Sequence, residues 1–315
     1  MLTLDTMRAV MLGHAVADAL GVPVEFCTRE ELALDPVVDM REGGTYPVPR
    51  GSWSDDTSMS LAALDVLAGG VADFDAVMEN FVRWKWEDAF TPTGEMFDIG
   101  ATCYAAIANY LATDGRPALS CGLDDERSNG NGSLMRIHPF VLFAHAKGLS
   151  LSDTLALVEN GSRLTHAHPR AILGCKIYAL MLTRLLLGEG KAGVLSALRE
   201  AKWLFCGDGE LAHYARLLCP DFAATPKAKI KSGGYVVDTL EAAVHCLLGT
   251  DRYADCVLTA VNLGEDTDTV AAVAGGLAGA LYGYDAIPRE WKEALLRRDY
   301  IEEMCGRAVS CWCTP

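Results

Sequence analysis

Basic residues are scarce in this 315-residue chain: 27 lysines and arginines stand against 42 aspartates and glutamates, a formal net charge of −15. No basic stripe is present from which to build a nucleic-acid-binding face. An acidic surface also repels anionic membranes, so no direct nucleic-acid or membrane partner is expected. A phosphate-bearing ligand would need local help, from metal or from backbone N–H groups. The N-terminal apolar stretch is interrupted by Asp5, His14 and Asp18 and lacks an Ala-x-Ala cleavage pattern, so it does not read as a secretory leader. The longest uncharged run, Thr269 to Tyr284, falls short of the ~18 apolar residues of a spanning helix and is rich in glycine. Strand periodicity and fixed-period repeats are missing. The expectation is a cytoplasmic, all-α protein, one compact multi-helix domain over residues 1–315. A hydrophobic content of 50% is ample for its core.

Cysteine is plentiful but unpatterned. The eleven cysteines are odd in number, scattered, and mostly set in apolar helical patterns, which reads as buried reduced thiols. The tail Cys305…Cys311-Trp312-Cys313 lacks a second pair at zinc-like spacing.

Two acidic clusters stand out. Ser54-Asp55-Asp56-Thr57 packs adjacent carboxylates between hydroxyls, and Gly264-Glu265-Asp266-Thr267-Asp268-Thr269 repeats the theme. Each precedes a long apolar, alanine-rich run, so each reads as a helix N-terminus. Ser54 or Asp55 could be an N-cap, with acids in the first turn complementing the helix dipole. A cap needs one oxygen, however, and the same surplus of hard oxygen donors occurs twice. Like charges this close repel unless a cation or solvent screens them. The helix after the second cluster is lined with small residues all round, which predicts a central helix crowded by its neighbours and buries Asp266 and Asp268. No nearby lysine or arginine offers them a partner.

Other segments carry weaker signals. A helix over 6–21 ends with Gly21 as a C-cap and Pro23 as a stop, which leaves Glu25 between Val24 and Phe26. It is either a partly buried carboxyl or an ordinary loop glutamate. Residues 35–53 read as a long functional loop. Helices follow over 57–67, 73–88 (with Trp84 and Trp86 as core), 101–111, 152–163, 169–187, 194–206 and 208–218, with a surface helix over 288–304 and a ragged tail. Asn129-Gly130-Asn131-Gly132-Ser133 lets backbone approach a ligand, and a helix opening near Ser133 would add an anion site. It is neither a P-loop nor GxGxxG, and a plain Asn-Gly turn is the alternative. His166 and His168 could donate to a ligand or simply join two helices. Gly233-Gly234-Tyr235 could set a flat ring beside a base or sugar, or turn into a helix with Tyr235 in the core.

Taken in order, Asp18-Ala19-Leu20-Gly21…Glu25, Gly51-Ser52-Trp53-Ser54-Asp55-Asp56-Thr57-Ser58-Met59, Asn129 to Arg136, Thr165-His166, Gly233 to Thr239 and Asp266-Thr267-Asp268-Thr269 resemble the ADP-ribosylglycohydrolase family. The resemblance implies an all-α fold with two Mg²⁺ (or Mn²⁺) ions in a central cleft. It places metal ligands on Ser54, Asp55, Asp56, Asp266, Asp268 and Thr269, with serine where the family usually has threonine. It places Glu25 near the scissile bond, Gly130 to Ser133 and His166 on the diphosphate, and Gly234 and Tyr235 near the adenosine. The implied activity is hydrolytic removal of ADP-ribose, with Glu25 or Asp56 as acid/base. The implied partner is an ADP-ribosylated protein, arginine-linked by the look of Trp53 to Met59, or a small ADP-ribosylated molecule. Serine-linked or O-acetyl-ADP-ribose, a non-catalytic ADP-ribose binder and a diphosphate-cutting two-metal enzyme are the alternatives.

Overall fold

The computed structural model describes residues 2–112 and 115–313, and their regular structure is helical, without a sheet. The α-helices are α1 (Leu4–Gly21), α2 (Arg29–Leu34), α3 (Asp55–Leu67), α4 (Phe74–Glu87), α5 (Ala101–Ala112), α6 (His138–Ala146) and α7 (Leu151–Arg163). There follow α8 (Pro169–Leu186), α9 (Gly190–Leu204), α10 (Val236–Gly249), α11 (Tyr253–Val261), α12 (Thr267–Tyr282), α13 (Arg289–Ala294) and α14 (Arg298–Trp312).

Small residues organise the centre. A Cβ on Gly275 of α12 would lie 2.3 Å from the Gly13 carbonyl of α1, and one on Gly279 only 1.9 Å from that of Ala9. Without side chains at these points the two backbones touch, a separation no larger residue permits. The expected crowded central helix is therefore α12, and its close partner is α1. By length and composition Leu4–Val24 could cross a membrane, but 94% of it is buried inside this fold.

The same pairing brings the end of α1 to the start of α12. A Cβ on Gly21 would meet the Asp268 backbone at 2.3 Å. Gly21 was expected as the C-cap, yet Val22 caps the helix and Gly21 is the last residue of α1, with φ −83°. Its missing side chain serves close approach instead of an unusual dihedral. The Thr267 hydroxyl donates to its freed carbonyl at 2.8 Å.

Several elements differ from expectation. Residues 208–218 form a 3₁₀ turn over Gly209–Tyr214 rather than an α-helix. The helix expected over 288–304 is two helices, broken where Arg297 takes φ +48°. Tertiary bonds hold the break: Arg297 donates to the Thr91 carbonyl at 2.7 Å, and the Leu296 N–H donates to Gly51 at 3.0 Å. The tail is not ragged, because α14 continues to Trp312, whose buried indole donates to the Leu67 carbonyl at 2.7 Å. Trp84 is core as expected, whereas Trp86 is half-exposed against Tyr104. All eleven cysteines are free, six of them buried.

Candidate active site

Ser54 caps α3, its hydroxyl accepting from the Asp56 N–H. The capping reading is thus correct for Ser54, but it accounts for little of the acid nearby. Asp18, fully buried on α1, accepts from the Ser54 N–H at 2.9 Å, the Thr57 N–H at 3.1 Å and the Thr57 hydroxyl at 2.6 Å. One carboxylate from a different helix therefore holds the first turn of α3 in place. Burial still pushes the Asp18 carboxyl up to about 6.

Inside this frame the carboxylates converge. One oxygen each from Asp18, Asp56 and Asp268 lie within 4.8 Å of one another, and so do oxygens of Glu25, Asp266 and Asp268. Asp268, at the start of α12, belongs to both triads. Asp55, Asp56 and Asp268 are held well above the usual carboxylate range, first by burial and then by neighbouring carboxylates. Glu25 is pushed up to about 8 by burial, then by Asp98 and Asp266. Among the described residues no lysine or arginine pairs with any of them. Glu25 Oε2 and Asp56 Oδ1 are buried without a hydrogen-bond partner. Two oxygen-only triads with free acceptor atoms fit hard divalent cations. The Ser54 and Thr269 hydroxyls donate to Asp56 Oδ2 at 3.0 and 3.2 Å, which places both beside the first triad.

The second triad opens, through Glu25 and Asp266, into a cavity of about 310 Å³, at the lower end of the range for small-ligand sites. Of the expected residues, Glu25, Asp55, Gly130, Asn131, Gly132, His166, Gly234, Asp266 and Thr269 line it. Ser54, Asp56, Asp268, Asn129, Ser133 and Tyr235 do not line it. The Ser133 side chain turns inward, where its hydroxyl accepts from Ser162 at 2.9 Å. No helix opens at Ser133, since α6 begins at His138 and residues 132–136 are turns. The glycine-rich loop is instead laced to the Gly-Gly-Tyr turn. The Asn131 N–H donates to the Gly234 carbonyl and the Val236 N–H to Asn129, both at 3.0 Å. The Asn131 amide also donates to Asp266 at 2.8 Å, which ties this loop to the second triad.

Tyr235 is neither free nor core. It sits half-buried, with the Arg170 guanidinium 6.0 Å from its ring centroid. Arg170 is clamped by Glu126 and Glu210, each at 2.7 Å. Among the described residues the Cys305–Cys313 tail contributes to no metal-type cluster.

Sequence reasoning missed Asp18, Tyr46, Asp98 and Arg170. Asp98 lines the cavity together with Glu25, and the Tyr46 hydroxyl is held protonated by burial and then by these two neighbouring carboxyls. Each is a single residue in a segment without local pattern. Only the placement of Asp18 just ahead of Ala19-Leu20-Gly21 hinted at a role.

Known proteins resemble this chain in sequence and fold. The ADP-ribosylglycohydrolase family profile matches residues 2–314. An ADP-ribosylarginine hydrolase of Serratia proteamaculans is 32% identical over 96% of this chain and 78% of its own. The ADP-ribosyl-dinitrogen reductase glycohydrolase of Rhodospirillum rubrum is 33% identical over 92% of this chain and 90% of its own. A solved ADP-ribosylglycohydrolase-related protein complex superposes with a TM-score of 0.82, at 32% identity over 99% of both chains. The chain belongs to the ADP-ribosylglycohydrolase family.

Proposed function

We propose that this protein is a metal-dependent hydrolase that removes ADP-ribose from modified arginine on protein. The observation that carries the reading is the pair of oxygen-only triads sharing Asp268, the second of which reaches, through Glu25 and Asp266, a cleft edged by a glycine-rich loop. Asp18, Asp56 and Asp268 would hold one divalent cation, and Glu25, Asp266 and Asp268 a second, each Mg²⁺ or Mn²⁺. Bound there, such cations would supply Lewis-acid chemistry: charge compensation for the substrate and polarisation of hydroxyl or water oxygen. Asp55, Ser54 and Thr269 complete the oxygen-rich surroundings.

Hydrolysis adds water across the bond from the ribose anomeric carbon to the acceptor nitrogen. The acceptor leaves with a proton, and the hydroxyl stays on ADP-ribose. Glu25 is the group placed for that proton transfer: it lines the cavity, and its Oε2 has no other partner. Asp56 is bound by two hydroxyls and is better suited to holding a cation. Asp98, beside Glu25, gives the acceptor end a negative character that complements a guanidinium and offers nothing to a neutral serine linkage. A ligand as long as ADP-ribose would overrun a cavity of about 310 Å³ and extend across Gly234 toward Tyr235. The free thiols support a reducing, cytoplasmic setting.

The test is product analysis by mass spectrometry on arginine-linked and serine-linked ADP-ribosylated substrates, with Mg²⁺ or EDTA. Free ADP-ribose from the arginine-linked substrate, lost with EDTA and in Asp56→Ala, is expected. AMP as product would assign diphosphate cleavage instead, and release from the serine-linked substrate alone would overturn the acceptor.

A further inference from the structure

Arg136 closes the glycine-rich motif, and nothing in the reading above uses it. It is fully buried, and among the described residues no carboxylate pairs with it. Its Nη1 donates to the Gly161 carbonyl at 3.0 Å and its Nη2 to Thr165 Oγ1 at 2.8 Å, with the guanidinium 4.7 Å over the Phe81 ring. A buried cation without a counter-charge is costly unless its donors are put to use.

Thr165 Oγ1 lies 2.8 Å from His166 Nδ1. A guanidinium can only donate, so the hydroxyl accepts from Arg136 through one of its two lone pairs. Among the described residues the only other nitrogen or oxygen partner of this fully buried hydroxyl is Nδ1, so its single hydrogen is satisfied only if Nδ1 accepts. Nδ1 is positioned to take it. Burial and the nearby cation hold the His166 ring neutral, down to about 3. A neutral imidazole whose Nδ1 accepts carries its hydrogen on Nε2. That nitrogen faces the glycine loop, 3.5 Å from where a Cβ on Gly130 or Gly132 would stand. His166 lines the cavity at this point. Glycine at both positions keeps the N–H open to the cleft.

We infer that Arg136 and Thr165 are positioning residues, which fix His166 as an uncharged Nε2–H donor to a phosphate oxygen in the cleft. The tautomer follows from the donor and acceptor inventory, whereas the phosphate rests on the proposed function. The arrangement lets an acidic protein contact a diphosphate with a hydrogen bond whose strength does not change across neutral pH.

Side-chain ¹⁵N NMR on histidine-labelled protein, assigned with His166→Gln, reads the tautomer directly. The expected result is an Nδ1 acceptor and a protonated Nε2 that persist between about pH 5 and 8. Calorimetry with ADP-ribose and Mg²⁺ reads the consequence. Thr165→Val should weaken ADP-ribose by about tenfold or more, the size of a hydrogen bond to a charged group. Thr165→Ser, which keeps the hydroxyl, should restore affinity and tautomer. Turnover at saturating substrate should change little in either variant, since both leave the triads intact. Arg136→Gln should mimic Thr165→Val, and the valine variant decides the matter should the glutamine variant not fold. An Nδ1–H tautomer, a charged ring at neutral pH, or undiminished binding by Thr165→Val would overturn the relay. A wild-type protein with the expected tautomer that bound no ADP-ribose would sink the functional reading instead.

Discussion

Gly275→Ala is the sharpest probe of how this site is assembled, because two physical effects oppose each other there. Alanine is the better helix former by about 1 kcal/mol, so propensity alone expects stabilisation of α12. In the fold, however, the new Cβ would lie 2.3 Å from the Gly13 carbonyl oxygen and 2.4 Å from the Ala17 Cβ. A carbon normally stays about 3.3 Å or more from a carbonyl oxygen, so α1 and α12 must part by about 1 Å. The obstacle is backbone, which cannot swing aside as a long side chain would. Overpacking of this kind costs about 1–3 kcal/mol, which cancels or exceeds the propensity gain of about 1 kcal/mol and leaves a net loss of up to about 2 kcal/mol. Asp18 rides on α1 and Asp268 on α12, so the same displacement should open the first triad and weaken Mg²⁺ binding. Urea unfolding measures the first effect and calorimetric Mg²⁺ titration the second. Gly306→Ala is the control: it sits within α14 with nothing within 4 Å of its Cβ position, and should gain up to about 1 kcal/mol. If Gly275→Ala were as stable as Gly306→Ala and bound Mg²⁺ normally, the close-packing account would be wrong.

Asp268→Ala should remove the shared corner of both triads, lower kcat/KM by more than the roughly 100-fold typical of outer-shell losses, and abolish the Tm gain on adding Mg²⁺. Retained metal-dependent turnover would contradict the shared role. Without metal, Asp18 and Glu25 titrate near about 6 and 8 in the fold, above the ~4 of an unfolded carboxyl. The fold holds protons that the unfolded chain has released, so this stability is fully present below about pH 4 and is lost as pH rises through both values. A divalent cation takes the place of those protons, and Mg²⁺ or Mn²⁺ should raise Tm more at about pH 8 than at about pH 5. Equal gains at both would argue against the carboxylates as ligands. Arg170→Ala should weaken ADP-ribose binding by roughly three- to tenfold through loss of the support behind Tyr235. Its effect should largely vanish in a Tyr235→Ala background, and full additivity in that double-mutant cycle would dissociate the two residues.

The helices legible beforehand were those with clear apolar periodicity, such as α4, α7 and α8, and α1, a long apolar run stopped by Gly21 and Pro23. The elements missed or misdrawn were short ones, α2, α6 and α11, and the break at Arg297, which bonds from Thr91 and Gly51 maintain. No local pattern could announce that break. The capping box of α2, in which Thr28 and Glu31 bond reciprocally, was present in the sequence and is a signal that could have been used.

The chain by itself determined which oxygens would stand at two helix starts, because caps and first-turn acids act within a few residues. It also determined that α12 would be central, because a helix that is apolar and small-sided all round has no polar face for solvent and lets neighbours approach closely on every side. What tertiary structure alone decided is that those starts meet. Asp18 reaches over to hold α3, Glu25 and Asp266 join a second triad, and Asp98, Arg136 and Arg170 arrive from segments with no shared pattern. Those convergences depend on the distance between α1 and α12, and that distance is set by glycines at positions 13, 21, 275 and 279 pressing backbone against backbone. It is a property of two helices in contact, and neither helix encodes it alone.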